Sequence, residues 1–574
     1  VENPEIARVL EEIADVLEIQ SANPFRIRAY RNASRTVEGL TTPLRKWVEE
    51  NRALTDLPGI GKEMGNHIKE MVETGTLGFR DELLAEVPRS LIELMRLPNL
   101  GPKKAKKVYD ELKIGSVDEL EAAAKAGLIA AIPGFGAKSQ EKILAGIAEY
   151  RQHGSRFLLP TVERLVEPLL GYLRETPELE RLEVAGSYRR RKETIGDVDL
   201  LAIASQPIPV MERFRSYPQV DKILNAGDTK STIVLGSGLQ VDLRVVPAEC
   251  YGAALVYFTG SKEHNVKLRR RAVEKGLRIS EYGVFRTESE QAGGEVEGGQ
   301  GDVYATVGLP WIPPELREDR GEIEAAAAGR LPELIRIEDL RGDLHMHSTW
   351  SDGKSSIEEM VTACAARGYE YMVISDHSKA LAMTGGLDAY RLRLQWKEID
   401  GIRARHPEIH ILKAMEVDIL GDGSLDLEDE MLAGLDLVLV SLHSRFDLPS
   451  AQQTERVLKA LEHPEVNVFC HPTARVINRR KPVEMDLDLI LRRAAELGVA
   501  VELNSSPHRL DLKDTHLVLA REVGCKIVID TDAHHTRELN QIRYGIEQAR
   551  RAGLSPADVL NTLPFEAFQT AIRR

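Results

Sequence analysis

After Gly342 the sequence alternates in a way that few architectures accommodate. Short apolar runs, "YMVISDHS" (371–378), "IHILKAMEVDI" (409–419), "LDLVLVSLHS" (435–444), "VNVFCHP" (466–472), "VAVELNSS" (499–506) and "KIVIDTDAHH" (526–535), each end in polar or ionisable residues, with helical segments between them. Buried strands joined by helices imply a parallel sheet or barrel, whose strand C-termini share one rim. Histidine concentrates there, with twelve of the fifteen after Gly342. Read in order, the rim carries His345, His347, Asp352, His377, Glu416, His443, His471, Asp532 and His534. A lone histidine at a strand end is most often structural, but nine donors at equivalent topological points are not nine unrelated core residues. Mixed imidazole and carboxylate sets suit Zn²⁺, Mn²⁺ or Fe. So many donors predict a multinuclear site that activates water and grips a phosphate ester. His406, His410, His463, His508, His516 and His535 lie off the pattern and are expected at the surface or behind the ligands, with His508 in "NSSPHRL" the foremost exception.

A second texture precedes this one. From about residue 160, "LEVAGSY", "DVDLLAIA", "STIVLG" and "LQVDLRVV" predict an α+β domain built on a sheet. Asp197 and Asp199 alternate on one strand, ~6.6 Å apart and on the same side, and Asp242 belongs on a neighbouring strand. Three acids on one face repel one another unless cations neutralise them. Hard oxygen donors select Mg²⁺, with Mn²⁺ as a substitute. Just upstream, Gly186 and Ser187 end a strand and open a helix, with Arg190 in reach, an arrangement that can hold a phosphate tail.

The front of the chain repeats itself. "LPGIGKEMGNHI" (57–68), "LPNLGPKKAKKV" (97–108) and "IPGFGAKSQEKI" (132–143) each read as a helix, a tight turn in which Gly or Asn supplies a positive φ, and a second helix. The new helix offers free N–H groups and its positive dipole end to a phosphate, a contact that tracks backbone and reads no sequence. The pattern resembles the helix-hairpin-helix DNA-binding motif, which would assign the grip to Gly59, Gly61, Lys62, Gly101, Lys103, Lys104, Gly134, Gly136 and Lys138. The net charge of −14 does not itself announce a nucleic-acid binder, but basic clusters stand at 101–107, 188–192 and 267–271. At 574 residues the chain is too long for one core. The opening lacks a secretory-signal pattern, no run is apolar enough to cross a bilayer, and Cys250, Cys364, Cys470 and Cys525 show no paired spacing. A cytoplasmic monomer with no membrane contact is the expectation.

"GSYRRRKETIGDVDLL", "LQVDLRVV" and "YFTGSKEHN" (257–265) together resemble the nucleotidyltransferase core of family X DNA polymerases, with the hairpins in front as that family has them. The resemblance implies two-metal phosphoryl transfer at Asp197, Asp199 and Asp242. It implies phosphate contacts from Gly186, Ser187, Arg190 and Gly196, and a sugar and base pocket from Tyr257, Phe258, Gly260, Ser261, Lys262 and Asn265, with Arg269 on the template strand. The series "DLHMHSTWSDG…SDHS…E…H…HP…DAH" resembles the polymerase and histidinol phosphatase (PHP) domain, a distorted barrel of about seven βα units whose ligand pattern is complete here. The combination is that of bacterial and some archaeal family X polymerases. It implies gapped or nicked DNA and dNTPs as partners, gap-filling repair, and a Mn²⁺- or Zn²⁺-dependent 3′–5′ exonuclease that also acts at abasic sites. Two departures stand out. Gln240 occupies a position where relatives place Arg, and Glu63 and His67 stand where relatives with deoxyribose-phosphate lyase activity have Lys. A Schiff-base nucleophile must be an amine, and Lys62 and Lys69 face elsewhere on the helix, so weak or absent lyase activity is expected.

The expected organisation is a helical domain over 1–80 with the first hairpin, a helical domain over 81–155 with the other two, and the nucleotidyltransferase palm over 156–255. A small terminal polymerase subdomain, the thumb, follows over 256–315, then a Pro-, Ala- and Glu-rich linker over 316–340 and the PHP domain over 341–574. Two rival readings are a phosphoesterase of small metabolites tethered to DNA by its front half, and a polymerase whose PHP metals are structural.

Overall fold

The computed structural model describes residues 3–573 apart from 21, 39–43, 51, 58, 75, 87–90, 92, 93, 95, 96, 98, 99, 115, 154, 155, 287–299, 382 and 383. The chain divides into two compact units, Val1–Ser155 and Arg156–Arg574.

The first unit is helical. In α1 (Asn3–Ile19) Ile6, Leu10, Ile13 and Leu17 recur at helical spacing, so one stripe is buried, and it packs against α2 (Pro24–Glu38). The three hairpins open α3 (Lys62–Thr74), α4 (Pro102–Leu112) and α5 (Ala137–His153). Gly59 (φ +74°) and Gly134 (φ +83°) supply the left-handed turns of the first and third. In the second, Gly101 has an ordinary φ of −67° and caps a helix that starts on Pro102. Asn99 lies outside the described residues, as does the side chain of Lys103.

The second unit begins with α6 (Leu159–Arg174) and a five-stranded sheet made of β1 (Leu179–Val184), β2 (Asp197–Ala204), β3 (Val220–Ala226), β4 (Lys230–Leu235) and β5 (Gln240–Val245), in the order β1-β2-β5-β4-β3. Val198 and Leu200 enter the core against Val162, Val166 and Leu169 of α6, which leaves Asp197 and Asp199 on the opposite face. This core also takes in Leu510 and Tyr544 from far along the chain. Two helices, α7 (Tyr251–Thr259) and α8 (Lys262–Glu274), follow. The segment 316–340, expected as a linker, is instead packed. Leu316, Ile323, Ala326 and Leu334 share a core with Val256, Leu268 and Tyr304, and the Arg317 side chain is fully buried, donating from Nε to the Ile312 carbonyl at 2.9 Å. Its Ala- and Glu-rich composition hid an apolar spacing that buries one side of a short helix.

Seven parallel strands then run in sequence order: β6 (Gly342–Asp343), β7 (Tyr371–Ile374), β8 (His410–Asp418), β9 (Leu437–Ser441), β10 (Val466–Phe469), β11 (Ala500–Asn504) and β12 (Ile527–Asp530). The barrel is nearly closed. Met346 bridges Ala533, and the Asn561 amide donates to the carbonyls of Gly342 (2.8 Å) and Ile529 (2.7 Å), spanning β6 and β12. Alternate strand residues form two layers. One packs against the surrounding helices, including α9 (Ile542–Arg551). The other, with Tyr371, Val373, Leu439 and Val528, packs around Phe568 and Ile572 of α10 (Phe565–Ile572), where Phe568 stacks on Tyr371 at 4.6 Å.

Candidate active sites

The parallel pairing of β2 with β5 sets Asp199 opposite Asp242 and Asp197 opposite Gln240, so three carboxyl groups share one sheet face. Burial, reinforced by the charges of Asp197 and Asp242, raises Asp199 to about 6, against the opposing pull of Arg244 and Arg190. That carboxylate is held apart from its preferred state unless a cation joins it. Both oxygens of Asp242 are fixed, one by the Thr232 hydroxyl and the other by the Gln240 amide at 2.9 Å. Gly186 has φ +62°, and a Cβ there would lie 2.5 Å from Asp199 Oδ2, so only glycine lets the turn approach the carboxylate.

Beside the acids lies a cavity of about 400 Å³. Asp197, Asp199, Gly186, Ser187 and Arg190 line one part of it, and Tyr257, Phe258, Gly260, Lys262, Asn265 and Arg269 another. Asp242, Gly196 and Ser261 are not among its lining. Ser261 instead caps α8, its hydroxyl accepting from His264 N at 3.1 Å. Asn265 spends an amide N–H on the Tyr257 carbonyl at 2.7 Å, which fixes the turn between α7 and α8. Two further lining cations were not predicted, Arg156 and Lys192. Lys192 continues the "RRRK" string and was legible as such, whereas Arg156 carries no motif and is set in place by Thr194, whose hydroxyl accepts from its Nε at 3.0 Å.

In the helical unit Gly59, Gly61, Lys62, Gly101, Lys104, Gly134, Gly136 and Lys138 are all exposed at or just before the starts of α3, α4 and α5. On α3, Glu63 pairs with Arg26 at 2.6 Å, and the Tyr30 hydroxyl lies 3.2 Å from Glu63 and 3.0 Å from His67 Nδ1. These positions hold a closed carboxylate, phenol and imidazole cluster rather than an amine. Lys69 lies 3.7 Å from Glu73 on an exposed flank.

At the barrel rim the structure brings all nine sequence-predicted donors together. Glu416 sits at the centre. Its Oε2 lies 3.3, 3.5 and 3.0 Å from nitrogens of His345, His347 and His377, and its Oε1 lies 3.3 Å from His443 and 2.8 Å from His471. Asp532 Oδ1 is 3.2 Å from His347 Nε2 and 3.6 Å from His345 Nε2. Asp352 faces His377 at 3.6 Å and His534 at 3.4 Å. Overlapping groups such as His347–Asp352–His377–His534, His345–His347–Glu416 and His377–Glu416–His443 have ligand atoms within 4.8 Å of one another. Burial alone would protonate Glu416, but His377, His443 and His345 outweigh it and hold the carboxyl well below its usual range. Burial, with His534 and His377 nearby, pulls His347 down to about 3 and so keeps its imidazole neutral. Nitrogens of His345, His347, His377 and His471 and Oε2 of Glu416 are buried without a hydrogen-bond partner. Orphaned buried donors converging from four strand ends fit a cluster of cations.

Sequence reasoning missed the supports. Glu502 Oε1 lies 2.6 Å from His345 Nδ1 while its Oε2 accepts from His471 N at 2.5 Å. Asp418 is 3.4 Å from His443 Nδ1, and Arg509 is 3.7 Å from Asp532. A carboxylate inside the apolar run "VAVELN" was the available signal for Glu502. His508 is exposed and outside the cluster, contrary to its being the foremost exception. His410 stacks on Phe565 at 3.7 Å, and His406 pairs with Glu408 at 2.9 Å.

Comparison with known proteins follows the same division. The family model described as "Helix-hairpin-helix domain" matches residues 1–77, and that described as "SAM-like Helix-hairpin-helix tandem" matches 51–113 and 91–149. "DNA polymerase beta thumb" matches 254–318 and "PHP domain" matches 343–506. The chain is 38% identical over 580 residues to the DNA polymerase/3′-5′ exonuclease PolX of Bacillus subtilis (strain 168), covering 99% of each. It is 29% identical over 243 residues to a probable phosphatase of Syntrophotalea carbinolica, covering 40% of this chain and 96% of that protein. A probable phosphatase of Acetivibrio thermocellus is 30% identical over 244 residues, with 40% and 95% covered. With a relative matched from end to end and both candidate metal-binding faces assembled in one chain, the protein belongs to the family X DNA polymerases that carry a C-terminal PHP domain.

Proposed function

We propose that this chain fills gaps in damaged DNA and trims the 3′ ends it meets, with the two reactions at separate centres. The observation that carries the reading is the register of Asp199 with Asp242 beside a cation-lined cavity, together with a second, separate donor cluster at the barrel rim. In the palm, Asp197, Asp199 and Asp242 would hold Mg²⁺ or Mn²⁺. Such a pair of ions lowers the pKa of an attacking hydroxyl and neutralises a transferring phosphoryl group. Ser187, Arg190, Lys192 and Arg156 bind the triphosphate, Tyr257 and Phe258 pack on the sugar, and Asn265 with Arg269 faces the base and template. The exposed hairpin turns of the helical unit track the backbone of a gapped or nicked duplex. At the rim, the nine donors would hold Mn²⁺ or Zn²⁺, which supply a nucleophile from water and a grip on a phosphodiester. Glu502 fixes the His345 tautomer, and Asp418 orients His443. Abasic positions are proposed as further substrates of this site.

Gap filling and 3′ degradation measured together test the division. Asp197→Ala should abolish extension and spare degradation. The pair His345→Ala and His347→Ala should do the reverse, and loss of both activities in either variant would refute two centres. The likeness to probable phosphatases favours a second reading of the rim alone, turnover of small phosphomonoesters. Rapid hydrolysis of histidinol phosphate with no degradation of DNA would establish it instead.

A further inference from the structure

The turn that bears Ser187, Arg190 and Lys192 is fastened from outside the palm. Three side chains of the PHP domain clasp the nine residues between Gly186 and Gly196. Arg551, on α9, has a side chain only 2% exposed. Its Nη1 donates to the Arg190 carbonyl at 2.6 Å and to Glu318 Oε1 at 3.0 Å, and its Nη2 donates to Asp514 at 2.7 Å. The same Glu318 oxygen accepts from Arg190 Nε at 2.9 Å, so Arg551 holds both the backbone of Arg190 and the carboxylate that aims its guanidinium. Arg190 Nη1 completes its own fixation on the Thr259 carbonyl at 2.6 Å. On the next residue, Arg191 is held between Glu163 and Glu547 of α9. Glu193 receives a two-pronged contact from Arg475, at 3.1 and 2.6 Å. Arg475 is itself anchored on the carbonyls of Arg509 and Leu510, in the rim loop.

Buried charges paired in this way fix geometry more than they add stability. The contacts to Arg190, Arg191 and Glu193 all fall on the segment proposed to receive the triphosphate, and Arg551 and Arg475 do not line the cavity. We propose that Arg551, seconded by Arg475, is a positioning residue of nucleotide addition. The PHP domain forms the fixed backing of the triphosphate turn, and the polymerase centre is incomplete without it. This rests on the reading of the palm as a polymerase. The segment is pre-set for an anion carrying several negative charges, since Arg190, Lys192 and Arg156 all line one cavity, with Arg190 and Lys192 oriented by the single carboxylate of Glu318 at 2.9 and 3.7 Å.

The test uses the full chain with Arg551→Lys, which keeps the charge and loses the fork that spans two acceptors and a carbonyl. Steady-state filling of a one-nucleotide gap is read as KM for dNTP, kcat and KM for DNA, with inorganic tripolyphosphate as a competitive probe of the turn alone. Expected are about tenfold rises in KM for dNTP and in the tripolyphosphate inhibition constant. KM for DNA and 3′ degradation of single strands should stay within about twofold, since neither uses the turn. Unchanged dNTP and tripolyphosphate affinities in a folded variant overturn the proposal. So does a parallel decline of dNTP affinity, DNA affinity and degradation, which would make Arg551 merely structural. If Arg551→Lys does not fold, Glu547→Gln loosens the clasp from Arg191, with about a threefold shift expected in the same two constants and the same outcomes deciding. Absence of extension by the parent chain would instead refute the polymerase reading, so the two failures are distinguishable.

Discussion

Replacing Gly186 by Ala separates geometry at the palm from stability of the fold. The new methyl carbon would sit 2.5 Å from Asp199 Oδ2, at a backbone φ of +62°. Ordinary contact requires ~3.5 Å or more, so the carboxylate oxygen must retreat by about 1 Å. The left-handed backbone costs about 1–2 kcal/mol for an L-residue. Because the offending atom is the tip of a side chain that can rotate, the clash adds little to that. The fold should therefore survive with a Tm lower by only a few degrees. Catalysis should not, since a displacement of about 1 Å at a reacting centre costs on the order of 100-fold in rate, about 2.7 kcal/mol of barrier. Single-turnover gap filling at saturating dNTP and Mg²⁺ gives the rate, and Mn²⁺-dependent 3′ degradation by the same preparation serves as its control. Extension within threefold of the parent would refute the claim that the glycine exists to admit Asp199.

Four other outcomes are expected. Because Asp199 titrates near 6 in the metal-free palm, the Mg²⁺ concentration for half-maximal extension should rise steeply as pH falls below about 6. In the absence of metal the sign for stability is opposite. The folded state holds the proton more tightly than the unfolded chain, so this group's penalty is complete above about pH 6 and is relieved towards pH 4, which chemical denaturation with chelator present would reveal. Glu502→Gln should lower metal affinity of the rim about 10–100-fold, measured as retained Mn or Zn after dialysis, and full retention would show that the 2.6 Å contact to His345 does not tune the cluster. Borohydride should trap no covalent adduct with a 5′-deoxyribose phosphate end, because Glu63 and His67 are closed into a cluster with Tyr30, and an adduct would reassign the nucleophile to another lysine.

What could be read from the linear chain follows from how each group advertises itself. The rim donors were legible because a parallel barrel sends every strand end to one place, so nine scattered positions reduce to one rule. The palm acids were legible from period-2 spacing. Arg156 was not, since its place depends on a hydrogen bond to Thr194, 38 residues away. Arg551 and Arg475 were invisible for a similar reason: each looks like a surface arginine until its acid or carbonyl partner arrives from another domain. The segment 316–340 misled because alanine and glutamate weigh towards solvent in composition, while the few apolar residues that matter are spaced to fill one groove. The packing of Phe568 inside the barrel left no trace in a short, ordinary amphipathic helix.

Leu510 and Tyr544 in the palm core impose a timetable on synthesis. At a ribosomal pace of ~5–20 residues per second, the sheet that ends at Val245 waits roughly 15–60 s for Tyr544 to emerge. During that interval the nascent sheet carries an uncovered apolar patch. Chains truncated before this point should therefore aggregate more readily than the full chain, because the patch that Leu510 and Tyr544 cover stays exposed.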